Sequence, residues 1–346
     1  SCALKLSSPA TYLTAIKAAS NQGIVIKGSN SLDEYAQVDT FVFDKTGTLT
    51  TGVPKIQRII AYEGYDDEEV LRIAACLEEH FYHPIATAVV KKAEDEGIEH
   101  EEMHGKLTHV ASKGIVSSID GKRVVIGSLE LLEDEKTTIS NEQKAVIEEY
   151  SQKYNLLYLS YDGKLIAIFL IDTPLRGEAI ALLKELKEKG KQIVLLTGDT
   201  QKRTETICSL IPFDRVYTQV KPEQKHQVIE QLQEEGHHVL MIGDGINDSA
   251  ALSLANVGIV MAGASDIARQ ASDILFLNEQ LTGLEVLENI TEQLHRQLDA
   301  NLKHTVGINS FLMGLGLIDM VSPSLLAILH NVTTTFIIGK SLTYIQ

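Results

Sequence analysis

The chain reads as an α/β protein: a doubly wound parallel sheet, interrupted by an α+β insertion and closed by two C-terminal apolar helices. Three observations predict this. First, the short runs Val38 to Phe43, Ile193 to Leu196 and Val239 to Ile242 are mostly apolar, with three or four consecutive apolar residues in each instead of an alternation, as strands covered on both faces are. Second, each run delivers an Asp within a Thr- or Gly-bearing turn, and open α/β sheets place their ligand groups at the carboxyl ends of strands. Third, Thr305 to Val321 and Ser324 to Tyr344 are apolar runs of 17 and 21 residues, close to the ~20 residues a membrane-spanning helix needs.

Taken in order, residues 1–36 read as the end of a membrane helix followed by a linker, since Ser1 to Ser20 is moderately apolar and contains Pro9. Residues 37–50 supply the first buried strand. Residues 51–162 form the insertion: Asp67 to Cys76 and Ile85 to Glu96 have helical periodicity, while Gly105 to Ile126 alternates as short strands around the hairpin signal Asp120-Gly121. The parallel sheet resumes over residues 163–283, with covering helices at Arg176 to Lys189, Pro222 to Glu235 and Ser249 to Ala255. Residues 284–302 read as a connecting helix and 303–346 as two transmembrane helices, a hairpin with Asp319 and Pro323 near its turn.

Composition narrows the class. A net charge of −16 argues against nucleic acid or an anionic membrane surface as partner of the soluble part. Cys2, Cys76 and Cys208 are too scattered for a disulfide framework and point to a reducing, cytosolic setting. The chain has no initiator Met, signal peptide or internal repeat.

The chemistry is concentrated at Asp44-Lys45-Thr46-Gly47-Thr48-Leu49-Thr50, which sets a carboxylate nucleophile at a strand end. A second Asp at position 46 would serve as general acid and base; Thr46 stands there, so an aspartyl phosphate on Asp44 should hydrolyse slowly. Thr197-Gly198-Asp199 and Gly243-Asp244-Gly245-Ile246-Asn247-Asp248 follow the other two strands, and Lys225 lies in Pro222-Glu223-Gln224-Lys225. Together these resemble the four signature motifs of the haloacid-dehalogenase superfamily in the form carried by P-type ATPases. The resemblance implies a phosphorylation domain in which Asp44, Asp244 and the Thr46 carbonyl hold Mg²⁺, Thr197 and Lys225 contact the phosphoryl oxygens, and Asn247 and Asp248 order the site. Lys45, Gly198 and Asp199 belong to the same catalytic motifs.

The insertion contains no P-loop. Its His83-Pro84, with Glu78 five residues earlier, is similar to the nucleotide-binding domain of heavy-metal (type IB) P-type ATPases, which implies ATP contacts from Glu78, His83, Pro84, Gly114 and Gly127. The sequence departs from that pattern at Phe81-Tyr82, at Ser112-Lys113-Gly114 and at Gly127-Ser128. The opening Ser1-Cys2-Ala3-Leu4 is similar to the family's metal-binding membrane segment. Cys2 and His330 are accordingly the candidate ligands of a transported transition metal, with Asn309 and Met313 as weaker ones.

No T-G-E occurs. The resemblance therefore implies the C-terminal portion of a longer integral membrane protein, its catalytic domains cytoplasmic and its place the cell membrane. Its partners would be the lipid bilayer and a missing N-terminal half with the actuator domain and earlier membrane helices. The implied function is ATP-driven transition-metal transport. A soluble phosphatase on the same catalytic core and an inactive nucleotide-binding remnant stay open as alternatives.

Overall fold

The computed structural model describes residues 2–62, 64–81, 83–99, 103–318 and 321–342, without the side chains of residues 2–4 and 246. It divides into two compact units. The first comprises residues 1–49, 177–198 and 211–346, and the second residues 50–176 and 199–210.

The first unit is built on a seven-stranded sheet in the order Ile24–Ile26, Ile274–Phe276, Val257–Val260, Val239–Gly243, Thr40–Asp44, Gln192–Leu196, Arg215–Tyr217. All pairings are parallel except that of the edge strand Ile24–Ile26. Thr40–Asp44 and Val239–Gly243 are buried at every position, which is why Phe41 to Phe43 and Val239 to Ile242 are apolar without alternation. The chain's three Asp-bearing turns follow three adjacent strands, with Asp44 opposite Leu196 and Phe43 opposite Ile242. Helices Ala179–Glu188, Lys225–Glu234 and Ser249–Leu254 cover the sheet; Val228, Ile229, Leu232, Ala251 and Leu252 meet Val42, Val194 and Met241 in one core.

The second unit is a six-stranded antiparallel sheet, in the order Lys55–Ala61, Lys164–Asp172, Asn155–Tyr161, Lys122–Gly127, Gly114–Ile119, Thr108–Val110. Helices Asp67–Glu78 and Pro84–Asp95 contribute to the core on one face, and Leu129–Asp134 and Asn141–Ser151 to that on the other. The hairpin at Asp120-Gly121 forms as the dipeptide predicts, with φ of 51° and 76°. Lys164–Asp172 corrects the sequence reading, which began the resumed parallel sheet at residue 163. This strand pairs antiparallel with Lys55–Ala61 and Asn155–Tyr161. Its side chains alternate between two cores, Phe169 and Ile171 to one and Ile168 and Leu170 to the other, so its unbroken apolar run imitates a parallel-sheet strand.

The C-terminal segment is a second correction. The connecting helix and the first apolar run form a single helix, Gly283–Leu317, followed by Pro323–Ser341; both pack against Cys2–Asn21. Among the described residues, no helix is long and apolar enough to cross a membrane. The apolar part of Gly283–Leu317 begins only at Thr305, and His330, Asn331, Thr333 to Thr335 and Lys340 dilute the second helix. Asp319 lies outside the described residues. The three helices are joined by buried polar groups: Asn301 Nδ2 donates to Ser341 Oγ at 2.9 Å and to Thr11 Oγ1 at 3.4 Å.

Phe169 is fully buried on an interior strand of the second sheet. Phe169→Ala should destabilise the protein by about 3–5 kcal/mol, the transfer and cavity cost of such a truncation, measured by denaturant unfolding.

Candidate active site

Asp44 closes a buried strand, and the chain turns sharply after it. Thr46 is extended at ψ 127° and Gly47 adopts φ 73°, a left-handed conformation that suits glycine. Gly47 is also required by space, since a Cβ there would lie 1.6 Å from Asp244 Oδ2. The turn brings the Thr46 N–H back to Asp44 Oδ2 at 3.1 Å. Thr46 itself is exposed and offers no carboxylate.

Lys225 opens its helix from inside the unit. Its Nζ donates to Asp44 Oδ1 at 2.7 Å and to Asp248 Oδ1 at 2.6 Å, with all three side chains at most 8% exposed. Burial disfavours the lysine charge, but the two carboxylates outweigh it and hold the ammonium above its ordinary pKa. Burial acts on Asp44 in the same direction as Asp248 and Asp244, raising its carboxyl far above the usual range against the pull of Lys225. Asp248 Oδ2 also accepts from the Gly245 N–H at 3.4 Å, and a Cβ on Gly243 would come within 2.7 Å of the same oxygen.

Carboxylate oxygens of Asp44, Asp244 and Asp248 lie within 4.8 Å of one another. A compact set of hard oxygen donors fits Mg²⁺, and the missing Cβ at Gly47 leaves Asp244 the room to reach it. Thr197 is buried directly after Gln192–Leu196, its N–H donating to Tyr217 O at 2.9 Å. Lys45 is half-buried beside Asp44, while Asn247 is exposed on a single helical turn. Gly198 ends a segment of the first unit and Asp199 begins one of the second.

The second unit holds a pocket of about 510 Å³ lined by Glu78, His83, Gly114 and Gly127, four of the five predicted nucleotide residues. The fifth, Pro84, is the first residue of the helix that His83 caps, with His83 Nδ1 accepting from the Ile85 N–H at 3.3 Å. Gly114 and Gly127 face each other across neighbouring strands. A Cβ on Gly114 would sit 2.2 Å from Ile126 O, and one on Gly127 would sit 2.2 Å from Lys113 O. Burial pushes the Glu78 carboxyl up to about 7.

The sequence reading missed one wall of this pocket. Phe81 stacks on His109 at 5.3 Å and 24°, a flat surface able to take a planar ring. Phe81 had registered only as a departure from the expected pattern. The side chain of Cys2 lies outside the described residues, so its assignment as a metal ligand has no geometry here. His330 Nδ1 is 2.9 Å from Asn309 Oδ1, a bond between the two last helices that links two of the candidate metal residues.

A parallel α/β sheet with a lysine-clamped aspartate at the end of an interior strand defines the class: an enzyme with an aspartate-centred site. The chain belongs to the haloacid dehalogenase-like hydrolase family, whose model matches residues 38–256. It is 34% identical over 344 residues to the zinc-exporting P-type ATPase of Mycobacterium marinum, covering 98% of this chain and 47% of that protein. It is 33% identical to the manganese-exporting P-type ATPase of Mycobacterium tuberculosis, covering 98% of this chain and 48% of the relative. The chain thus spans about half the length of these curated relatives. Among solved structures it is similar to a zinc-transporting PIB-type ATPase in the E2.Pi state, with TM-score 0.85 and 26% identity over 100% of this chain and 56% of that one. It is also similar to the catalytic domain of the CPx-ATPase CopB-B, with TM-score 0.64 and 29% identity over 80% of this chain and 98% of that one.

Lys225→Ala would leave Asp44 and Asp248 buried without their shared cation, so a loss of about 3–5 kcal/mol is expected in unfolding near pH 8. The loss should be smaller near about pH 5, because the Asp44 carboxyl, already raised to about 7 by burial, takes up a proton and sheds its uncompensated charge. Denaturation curves at the two pH values check both statements.

Proposed function

We propose that this chain is the catalytic part of a transition-metal-transporting P-type ATPase that forms an aspartyl phosphate on Asp44. One observation carries the reading: Asp44 is buried and clamped by Lys225, while the position two residues on, where a phosphatase needs its acid and base, is the exposed Thr46. A phosphoenzyme without that helper persists, which suits a transport cycle better than rapid hydrolysis.

The proposed nucleotide site is the pocket of the second unit. The adenine ring would lie against Phe81 and His109, and the paired glycines would let the ligand approach the strand backbone. In the transfer step a carboxylate oxygen of Asp44 bonds to the γ-phosphorus as the bond to the bridging oxygen of ADP breaks. Lys225 and the Thr197 turn contact the phosphoryl oxygens, and the Thr46 N–H and Lys225 orient the nucleophile. Asp44, Asp244 and the Thr46 carbonyl would hold Mg²⁺, which neutralises charge on the phosphates when bound. Asn247 and Asp248 would order this site, Asp248 by fixing Lys225.

The wider reading covers the whole protein. We place it in the cell membrane with both units on the cytoplasmic side. The exposed apolar side chains of the C-terminal helices, Phe311, Leu317 and Phe336 among them, would face lipid or further helices there. A T-G-E loop in a part beyond this chain would direct water onto the phosphoenzyme. Relatives named for zinc, manganese, copper and silver export support a transition metal without choosing one. Cys2 and His330 are its proposed ligands.

Incubating the protein with γ-labelled ATP and Mg²⁺ should give an acid-stable, hydroxylamine-sensitive phosphoenzyme that Asp44→Asn abolishes. In membranes carrying the whole protein, one transition metal should stimulate ATP hydrolysis, again lost in Asp44→Asn. Fast metal-independent phosphomonoesterase activity would favour the phosphatase alternative, and ATP binding without labelling would favour the remnant.

A further inference from the structure

A second cluster of ligating side chains lies in the antiparallel unit, away from any role given above. Glu79 and His80 follow the helix Asp67–Glu78 directly, and His104 comes from the segment leading into the sheet, where it bridges to Ile119. One ligating atom from each of the three lies within 4.8 Å of the others. His80 Nε2 is 3.3 Å from Glu79 Oε1, and the two imidazoles meet edge to face at 5.3 Å.

The state of His104 is fixed by chemistry. Its Nδ1 is 2.9 Å from the Gly105 carbonyl oxygen, which can only accept, so Nδ1 carries the proton. In the neutral ring, Nε2 is then a bare lone pair. That nitrogen is buried and has no hydrogen-bond partner among the described residues. An orphaned buried acceptor is costly. An imidazole whose other nitrogen donates to a backbone carbonyl is also the usual arrangement of a metal-bound histidine. The backbone is fixed as well: the Met103 N–H donates to buried Cys76 Sγ at 3.4 Å, pinning the His104 segment to the helix that presents Glu79 and His80.

We propose that Glu79, His80 and His104 form a binding site for a borderline divalent transition-metal ion such as Zn²⁺. Two imidazoles and one carboxylate are a known tetrahedral ligand set with one position open, and they match such an ion better than Mg²⁺ or Ca²⁺. Ligand bonds of about 2.0–2.1 Å put tetrahedral donors about 3.3 Å apart. The observed spread requires side-chain movements of at most about 1.5 Å, within reach of rotation at partly exposed Glu79 and His80. The site is separate from the Asp44 cluster, which offers oxygen alone.

Titrating the whole chain with Co²⁺ and then Zn²⁺ tests the proposal. An Asp44→Asn, Asp244→Asn background removes the oxygen cluster from the measurement. One equivalent of Co²⁺ should give the intense visible bands of a four-coordinate ion, displaced by Zn²⁺. His80→Gln and His104→Gln should each weaken Zn²⁺ binding at least about tenfold, by analogy with the effect of disturbing a ligand's supporting shell. Glu79→Gln, which keeps the side chain's shape, should do the same while leaving circular dichroism unchanged. X-ray absorption at the zinc edge should show a nitrogen and oxygen shell with imidazole scattering. Equal affinity in the parent and all three variants, no stoichiometric binding, or a sulfur shell assigning the ion to cysteine would each overturn the site.

Discussion

The first unit depends on one interaction: the ammonium of Lys225 held between the carboxylates of Asp44 and Asp248. Removing an ion from water costs several kcal/mol even after relaxation, so such a cluster persists only where neighbours satisfy its remaining bonds. Here the Thr46 and Gly245 N–H groups do so, and the apolar sheet beneath lowers the local dielectric. Counting these side chains with Asp244, three carboxylates against one ammonium leave two negative charges. A divalent cation would restore the balance. Burial first, and then the same imbalance, raises the pKa of Asp44.

The backbone has been shaped to make that cluster possible. Gly47 and Gly243 each stand where a Cβ would strike a carboxylate, so the acidic groups approach one another over bare backbone. Thr40–Asp44 lies between Val239–Gly243 and Gln192–Leu196, and strand order alone brings three turns to the same edge. The helix that starts at Lys225 is anchored by Val228, Ile229 and Leu232, so its first residue is placed by packing before any charge acts.

Much of this was legible because buried parallel strands advertise themselves. Phe41 to Phe43 and Val239 to Ile242 have no polar face to hide, and their Asp-bearing turns mark where each strand stops. The same signal misplaced Lys164–Asp172, because a strand covered by helices on both faces looks alike in parallel and antiparallel sheets. Pairing direction is a long-range property that the run itself does not encode. Hydropathy misled at the C-terminus for a related reason. Thr305 to Val321 and Ser324 to Tyr344 are apolar enough to be noticed, yet Asn301 and Ser341 bond between helices, and the polar residues from His330 to Thr335 lower the second run below a spanning one. The pocket was only half visible. Glycines and a His-Pro pair leave a linear mark, whereas the stack of Phe81 on His109 joins residues distant in sequence.

Cation selection in this chain follows from donor chemistry more than from charge. The Asp44 cluster presents carboxylate oxygens around a buried lysine, hard donors that match a strongly hydrated ion able to bridge phosphates. The Glu79, His80 and His104 group presents two imidazoles, one of them with a buried Nε2 and its other nitrogen at a backbone carbonyl. Transition metals bind oxygen clusters too, and generally more tightly than Mg²⁺ does, so a protein handling both cannot rely on affinity at a single site. Nitrogen donors in one unit and oxygen donors in the other give the two ions different places of lowest free energy.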